Sequence, residues 1–192
     1  MPTCTDAAVD TAENKKTGWL EIAERTIIIF MLSSITGWVY EFFFYLVTEH
    51  RAGNSGFFFG PYLPVYGFGA LFILLFTRPF RRHPAAVFFG SIPVTGVLEY
   101  FTGLVMFRIW HERWWDYRES FLNIDGYVCL RSVFSFAVGA LVLMYLLEPQ
   151  VKERLSGDKR AVLRHAICII FTLVFAADAV MTILWRMPNS VL

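Results

Sequence analysis

Glu41, Glu99, Arg131 and Asp178 are ionisable residues set inside stretches of this 192-residue chain that are otherwise apolar enough to cross a membrane. A charge in hydrocarbon costs from about 2.5 to more than 10 kcal/mol depending on the reference state, so such groups face a partner or a wet cavity. Three acids and one base sharing a cavity can hold a cation or basic solute, or take part in proton transfer. They can equally neutralise one another across helices and do no more than hold a bundle together. For Asp178, alone on the last apolar stretch, the structural role is the stronger expectation.

The elements that must position these groups follow from composition. Hydrophobic residues make up 56% of the chain, mean hydropathy is +0.51 and only 17% of residues are charged, well below the roughly 25% of soluble domains. A net charge of +1 excludes the strong basic field of a nucleic-acid binder. Five stretches can each form a span: Thr26 to Val47, Tyr62 to Phe76, Ala85 to Phe107, Tyr127 to Leu147 and His165 to Trp185. The second is short and draws length either from Phe57, Phe58 and Phe59 or from a non-helical lead-in at Gly60, Pro61 and Pro64. Residues 1–24 form a polar, flexible N-terminal segment without the pattern of a cleaved signal, and 25–192 a single transmembrane domain. The expected fold is an all-α polytopic membrane bundle of about five helices with aromatic outer loops.

Lys and Arg set the orientation. Eleven lie on the side of the N-terminus (Lys15, Lys16, Arg25, Arg78, Arg81, Arg82, Lys152, Arg154, Lys159, Arg160, Arg164) and five on the other (Arg51, Arg108, Arg113, Arg118, Arg186). The N-terminus is therefore expected inside and the C-terminus outside. At 1.5 Å per residue, Glu41, Glu99 and Asp178 precede the outer ends of their spans by roughly 9, 12 and 10 Å, and Arg131 follows the start of its span by about 6 Å. All four share the outer half, which suggests one outward-opening polar cavity.

Small or hydroxyl residues accompany the charges at helical spacing: Gly37 with Glu41, Thr95 and Gly103 with Glu99, Ser135 with Arg131, and Gly139 with Ser135. Such residues let helices approach closely, so the charged faces should point inward. A faint repeat sets Tyr40-Glu41-Phe42 against Leu98-Glu99-Tyr100, and Gly69-Ala70-Leu71 against Gly139-Ala140-Leu141. Two parallel helical hairpins with a site at their interface are implied.

The outer connections supply a rim. Gly53 to Gly69 is rich in glycine, proline and aromatics and reads as re-entrant or tightly folded over the bundle. Trp110 to Gly126 carries Trp114-Trp115-Asp116-Tyr117, then Asn123-Ile124-Asp125-Gly126, a turn signature expected to cap the fourth span. Its aromatics form either an interfacial belt or a lid over the acidic cavity, the latter suiting a cationic or amphipathic ligand through cation–π contacts. Glu41 and Glu99 are the expected ligand or ion contacts and Arg131 their electrostatic partner. Tyr62, Tyr66, Trp115, Asp116 and Tyr127 are the expected rim, and Asp178 an additional polar site.

Gly37-Trp38-Val39-Tyr40-Glu41, Gly60-Pro61-Tyr62-Leu63-Pro64-Val65-Tyr66-Gly67-Phe68-Gly69, Thr95-Gly96-Val97-Leu98-Glu99-Tyr100, Trp114-Trp115-Asp116-Tyr117 and Asn123 to Ser132 resemble successive blocks of one family. It is a bacterial membrane-protein family labelled Putative ABC-transporter type IV, formerly a domain of unknown function. The resemblance covers residues 35–147 and implies a multi-pass protein of the bacterial cytoplasmic (inner) membrane with a role related to transport. Asp178 lies beyond these blocks.

An ABC transporter needs an ATPase, and the chain has no Gly-x-x-x-x-Gly-Lys-Ser/Thr phosphate loop. ATP-driven activity would need a separate ATP-binding subunit, for which the charged connection from Glu148 to Arg164 is the candidate docking element, unless it is simply a solvated surface. His50, His83, His111 and His165 have no metal-ligand spacing, Cys129 and Cys168 read as buried thiols, and no metal, cofactor or catalytic signature is found. The alternatives to transport are a structural or accessory membrane subunit and an enzyme acting on lipid or headgroup substrates. Five helices are few for a transporter of ordinary size, so the expected partners are the lipid bilayer and a further subunit or a second copy.

Overall fold

The computed structural model describes residues 4–48, 50, 56–155 and 157–186, with side chains from Gly18 onward except that of Asp158. Of the residues singled out by sequence, Arg51, Gly53, Asn54, Ser55 and Ser156 lie outside these.

Helix α1 (Cys4–Thr48) begins inside the polar N-terminal segment and enters the bundle along one face. Glu24, Ile28, Met31, Ser34 and Gly37 are buried in succession, at the three- and four-residue steps that keep side chains on one side of a helix. Helix α2 (Pro64–Thr77), extended by a tight turn at Arg78–Phe80, returns against it. Proline at the first position costs α2 nothing, because the N–H it lacks would have no helical acceptor. The buried residues of α3 (Pro84–Trp110) are Val87, Ser91, Thr95, Glu99 and Gly103, one per turn, so a small and hydroxyl stripe leads directly to the acid. His111, in the left-handed conformation, ends that helix.

Helix α4 (Leu130–Val142) continues through a widened π-type turn, Leu143–Leu147, into α5 (Glu148–Leu155). Pro149 explains the widening: it has no N–H to donate to the preceding turn, and its ring displaces that turn's carbonyl. Helix α6 (Ala161–Arg186) packs on α1 and buries few residues of its own. Four helical stretches, 18–48, 84–110, 130–155 and 161–186, are long and apolar enough to span a membrane, with the shorter apolar helix at 64–80. This is the expected all-α polytopic bundle, and no strand occurs among the described residues beyond an isolated bridge between Ile124 and Val128.

The hairpins α1–α2 and α3–α4 meet through α2 and α3. Tyr66 and Phe136 precede Gly69 and Gly139 by three residues each, and their rings stack at 4.7 Å between centroids. Cys129 and Cys168 are free, buried thiols. At the end opposite the acidic cluster, Glu24 accepts from Arg164 Nε at 2.6 Å and also bonds His165, while Glu148 pairs with Arg78 (3.2 Å) and Arg81 (3.3 Å).

Candidate functional site

Glu41 follows the buried series on α1, half-buried one turn beyond Gly37. There the absence of a side chain matters, because a Cβ on Gly37 would run into the Tyr66 ring. The close approach lets the Tyr66 hydroxyl donate to Glu41 Oε1 at 3.0 Å. Glu99 ends the hydroxyl stripe of α3, is 4% exposed, and accepts from Ser132 Oγ at 2.7 Å. Ser132 in turn accepts the Cys129 N–H at 3.2 Å, so the first turn of α4 is capped by a hydroxyl that also satisfies a buried carboxylate. Each acid is thus held by a hydroxyl from the returning helix of its own hairpin.

The two hairpins bring these pairs together. The charges of Glu41 and Glu99 interact with one another, and Arg131 interacts electrostatically with both. Its guanidinium makes no ion pair within 4 Å to either acid among the described residues; it lies over the Phe44 ring at 4.1 Å and the Tyr117 ring at 5.5 Å. The reason is the start of α4. Tyr127 and Val128 belong to the turn preceding the helix, which begins at Leu130, so Arg131 sits in its first turn, exposed at the bundle margin, rather than about 6 Å into a span. The Asn123–Gly126 signature does form a turn, with Asn123 Oδ1 accepting the Gly126 N–H at 3.2 Å, but the N-cap of α4 is Cys129.

Glu41, Tyr66, Tyr117, Arg131, Ser132 and Ser135 surround a void of about 10 Å³, room for one water-sized group. Ser135 Oγ donates to the Arg131 carbonyl at 2.9 Å, which leaves Tyr40 as donor to Ser135 at 2.8 Å. Tyr117, on the loop outside the spans, is held with its phenol well above the usual value, first by burial and then by the nearby Glu99 and Glu41 charges. It is therefore a neutral hydroxyl facing two acids.

The remaining expected rim residues lie apart from this cluster. Tyr62 turns toward α6, where its hydroxyl bonds Asp178, and that carboxylate also accepts from Gly60 N (2.8 Å), Phe59 N (3.2 Å) and Thr182 Oγ1 (3.0 Å). Asp178 thus fastens the Phe57–Leu63 lead-in to α6, with Arg186 over Trp114 at 4.3 Å beside it. Trp115 donates Nε1–H to the Tyr127 carbonyl at 2.9 Å, and both rings pack against Gly103. Asp116 points outward to Arg118, whose hydrogen bonds hold its carboxyl below the usual range.

Sequence reasoning missed Tyr117, Tyr40 and Ser132 as members of the cluster, and it placed Ser135 on the face of Arg131 as a packing residue. Tyr117 stood in the Trp-Trp-Asp-Tyr block, but only the loop backbone, with Tyr117 N–H on the Gly126 carbonyl at 2.9 Å, decides that it faces in and Asp116 out. Ser132 lies one residue from Arg131, and its carboxylate partner is 33 residues away in the chain.

No curated protein and no solved structure matches this chain. A model of the family described as Putative ABC-transporter type IV matches residues 28–183, a longer stretch than the 35–147 of the recognisable blocks and one that takes in Asp178. With that match covering well over half of the 192 residues, the chain belongs to the Putative ABC-transporter type IV family, as the resemblance of its blocks implied.

Proposed function

We propose that this protein is a transport-related membrane protein, or the membrane subunit of a transporter, that binds a small cationic group between Glu41 and Glu99. The observation supporting this reading is that Glu41 lines a small void, with Glu99 on the Ser132 hydroxyl that also lines it, while the Arg131 guanidinium at the same void lies over rings and makes no ion pair within 4 Å to either acid among the described residues. That leaves Glu41 oxygens to accept from a ligand, with Tyr66, Ser132 and Tyr117 as orienting hydroxyls. No phosphate loop occurs in these 192 residues, so ATP-driven movement would use an ATP-binding unit outside them. The proposed setting is the bacterial cytoplasmic membrane, N-terminus inside and C-terminus outside, with the cluster toward the outer face.

A structural role for the cluster is the second reading, favoured by the hydroxyl bond that each carboxylate receives from its own hairpin. The two separate on one experiment in nanodiscs. A hydrophobic carbodiimide should modify Glu41 or Glu99, and an alkylammonium ion should protect them. Glu41→Gln or Glu99→Gln should weaken that cation's binding by about tenfold or more, roughly 1.4 kcal/mol, with folded yield retained. Loss of folded yield in both variants, restored by a charge swap with Arg131, would assign the acids to structure instead.

A further inference from the structure

A cleft of about 490 Å³ lies between α1 and α4, within the usual size range of ligand pockets. Where α2 and α3 pack directly, α1 and α4 leave this space, bounded by Ser33 and Gly37 on one side and Phe134, Val138, Gly139 and Val142 on the other. From Phe134 to the π-type turn at Leu147 the cleft follows α4 for about 20 Å. Its walls are almost wholly apolar, and Phe134, Val138 and Val142 remain half exposed. Tyr40, Tyr66 and Ser135 line both this cleft and the small polar void. A hydrocarbon channel within the spans therefore ends at the acidic cluster, separated from it by the Tyr40–Ser135 hydrogen bond.

We infer that this cleft is the lateral entry for a single-chain membrane amphiphile with a primary-amine head, its chain lying along Phe134, Val138 and Val142 and its head passing Tyr40 and Ser135 to Glu41. The inference rests on the cation-binding reading above and adds the ligand class and route. The acceptor at the end of the route selects the head: Glu41 lines the void, and the Arg131 guanidinium there is turned onto the Phe44 and Tyr117 rings. Geometry agrees, since an ammonium group is about the size of a water and its three donors meet oxygens of Glu41, Tyr40 and Ser135 around a void of about 10 Å³. The surroundings supply the chain, because a cleft open to the bilayer takes up what the bilayer contains.

The test uses the full chain in nanodiscs and hexadecylamine carrying a diazirine in its chain, with the matching hexadecanoic acid as control. Adducts should concentrate on Phe134, Val138 and Val142, with the amine favoured over the acid by about tenfold and that preference lost in Glu41→Gln. Gly139→Leu should plug the cleft and remove the adducts without loss of folded protein, because a Cβ at Gly139 meets nothing within 4 Å. Amine adducts spread over outward-facing positions such as Val97 and Val105, or unaffected by Gly139→Leu, overturn the route. Cross-links between two copies at the cleft also overturn it, identifying the occupant as another helix. A short alkylammonium ion that still protects Glu41 from carbodiimide in those cases leaves the cation-binding reading standing; no protection in the wild type removes both.

Discussion

Among single residues, Asp178 and Glu41 look alike in sequence, each an acid in an apolar helix, and the structure separates them by their partners. Asp178 accepts from two backbone N–H groups and two hydroxyls, a closed set that leaves little for a ligand. Asp178→Ala removes the acceptor of the part-buried Gly60 N–H, costing about 1–3 kcal/mol where water cannot replace it. The expected outcome is a melting temperature lower by several degrees with alkylammonium binding at Glu41 retained. Unchanged melting with lost binding would place Asp178 in the ligand site. Tyr117 gives a second expectation. Its raised pKa means that the neutral phenol persists as pH rises through the ordinary tyrosine value near 10. The difference in ultraviolet absorbance titration between wild type and Tyr117→Phe should therefore show no phenolate step in that range.

Between elements, the reciprocal fit of α1 and α2 sets the site. Gly37 faces Tyr66, and Gly67 on α2 faces Ser34 and Phe30 on α1, with no room for a Cβ at either glycine. Gly37→Ala and Gly67→Ala should each cost about 1–3 kcal/mol as overpacked positions. Gly37→Ala should in addition weaken cation binding, because the ring it displaces carries the hydroxyl on Glu41. Thermal melting and a binding titration check both, and Gly139→Leu is the tolerated comparison. The same helices show what was legible beforehand. Glu99 could be placed inside because Thr95 and Gly103 flank it by one turn each, a spacing that exists in the chain itself. The positions of Tyr62, Trp115, Asp116 and Tyr127 could not, because a loop has no period: one backbone bond or one acid on a distant helix decides which way a ring turns. Glu24 and Glu148 were hidden for a different reason. Each stands at the edge of an apolar run, where an acid reads as solvated, and its partners, Arg164 for one and Arg78 and Arg81 for the other, come from connections far along the chain.

For the molecule as a whole, those pairs bear on orientation. Glu24–Arg164 and Glu148–Arg78/Arg81 lie at one end of the bundle, and the acidic cluster and the Asp178 clasp at the other. Arg78, Arg81 and Arg164, three of the basic residues counted on the side of the N-terminus, are therefore held at the same end of the bundle, which accords with the proposed orientation. Glu24 and Arg164 are nearly enclosed, at 8% and 3% side-chain exposure, so Glu24→Ala should cost about 3–5 kcal/mol by leaving a buried guanidinium unpaired. Whether the termini lie on opposite sides depends on the short helix. Pro64–Phe80 is about 25 Å long against a hydrocarbon core of about 30 Å, and the Phe57–Leu63 lead-in, anchored on Asp178, adds length at the Asp178 end. Since Arg78 and Arg81 at its far end reach Glu148, a crossing is the arrangement that keeps their connection on the face of the α5–α6 connection. A reporter active only in the cytoplasm should therefore be active when fused before α1 and silent when fused after α6. Activity at both ends would mean that α2 turns back within the membrane, and the Glu41 and Glu99 helices would then not run outward in parallel.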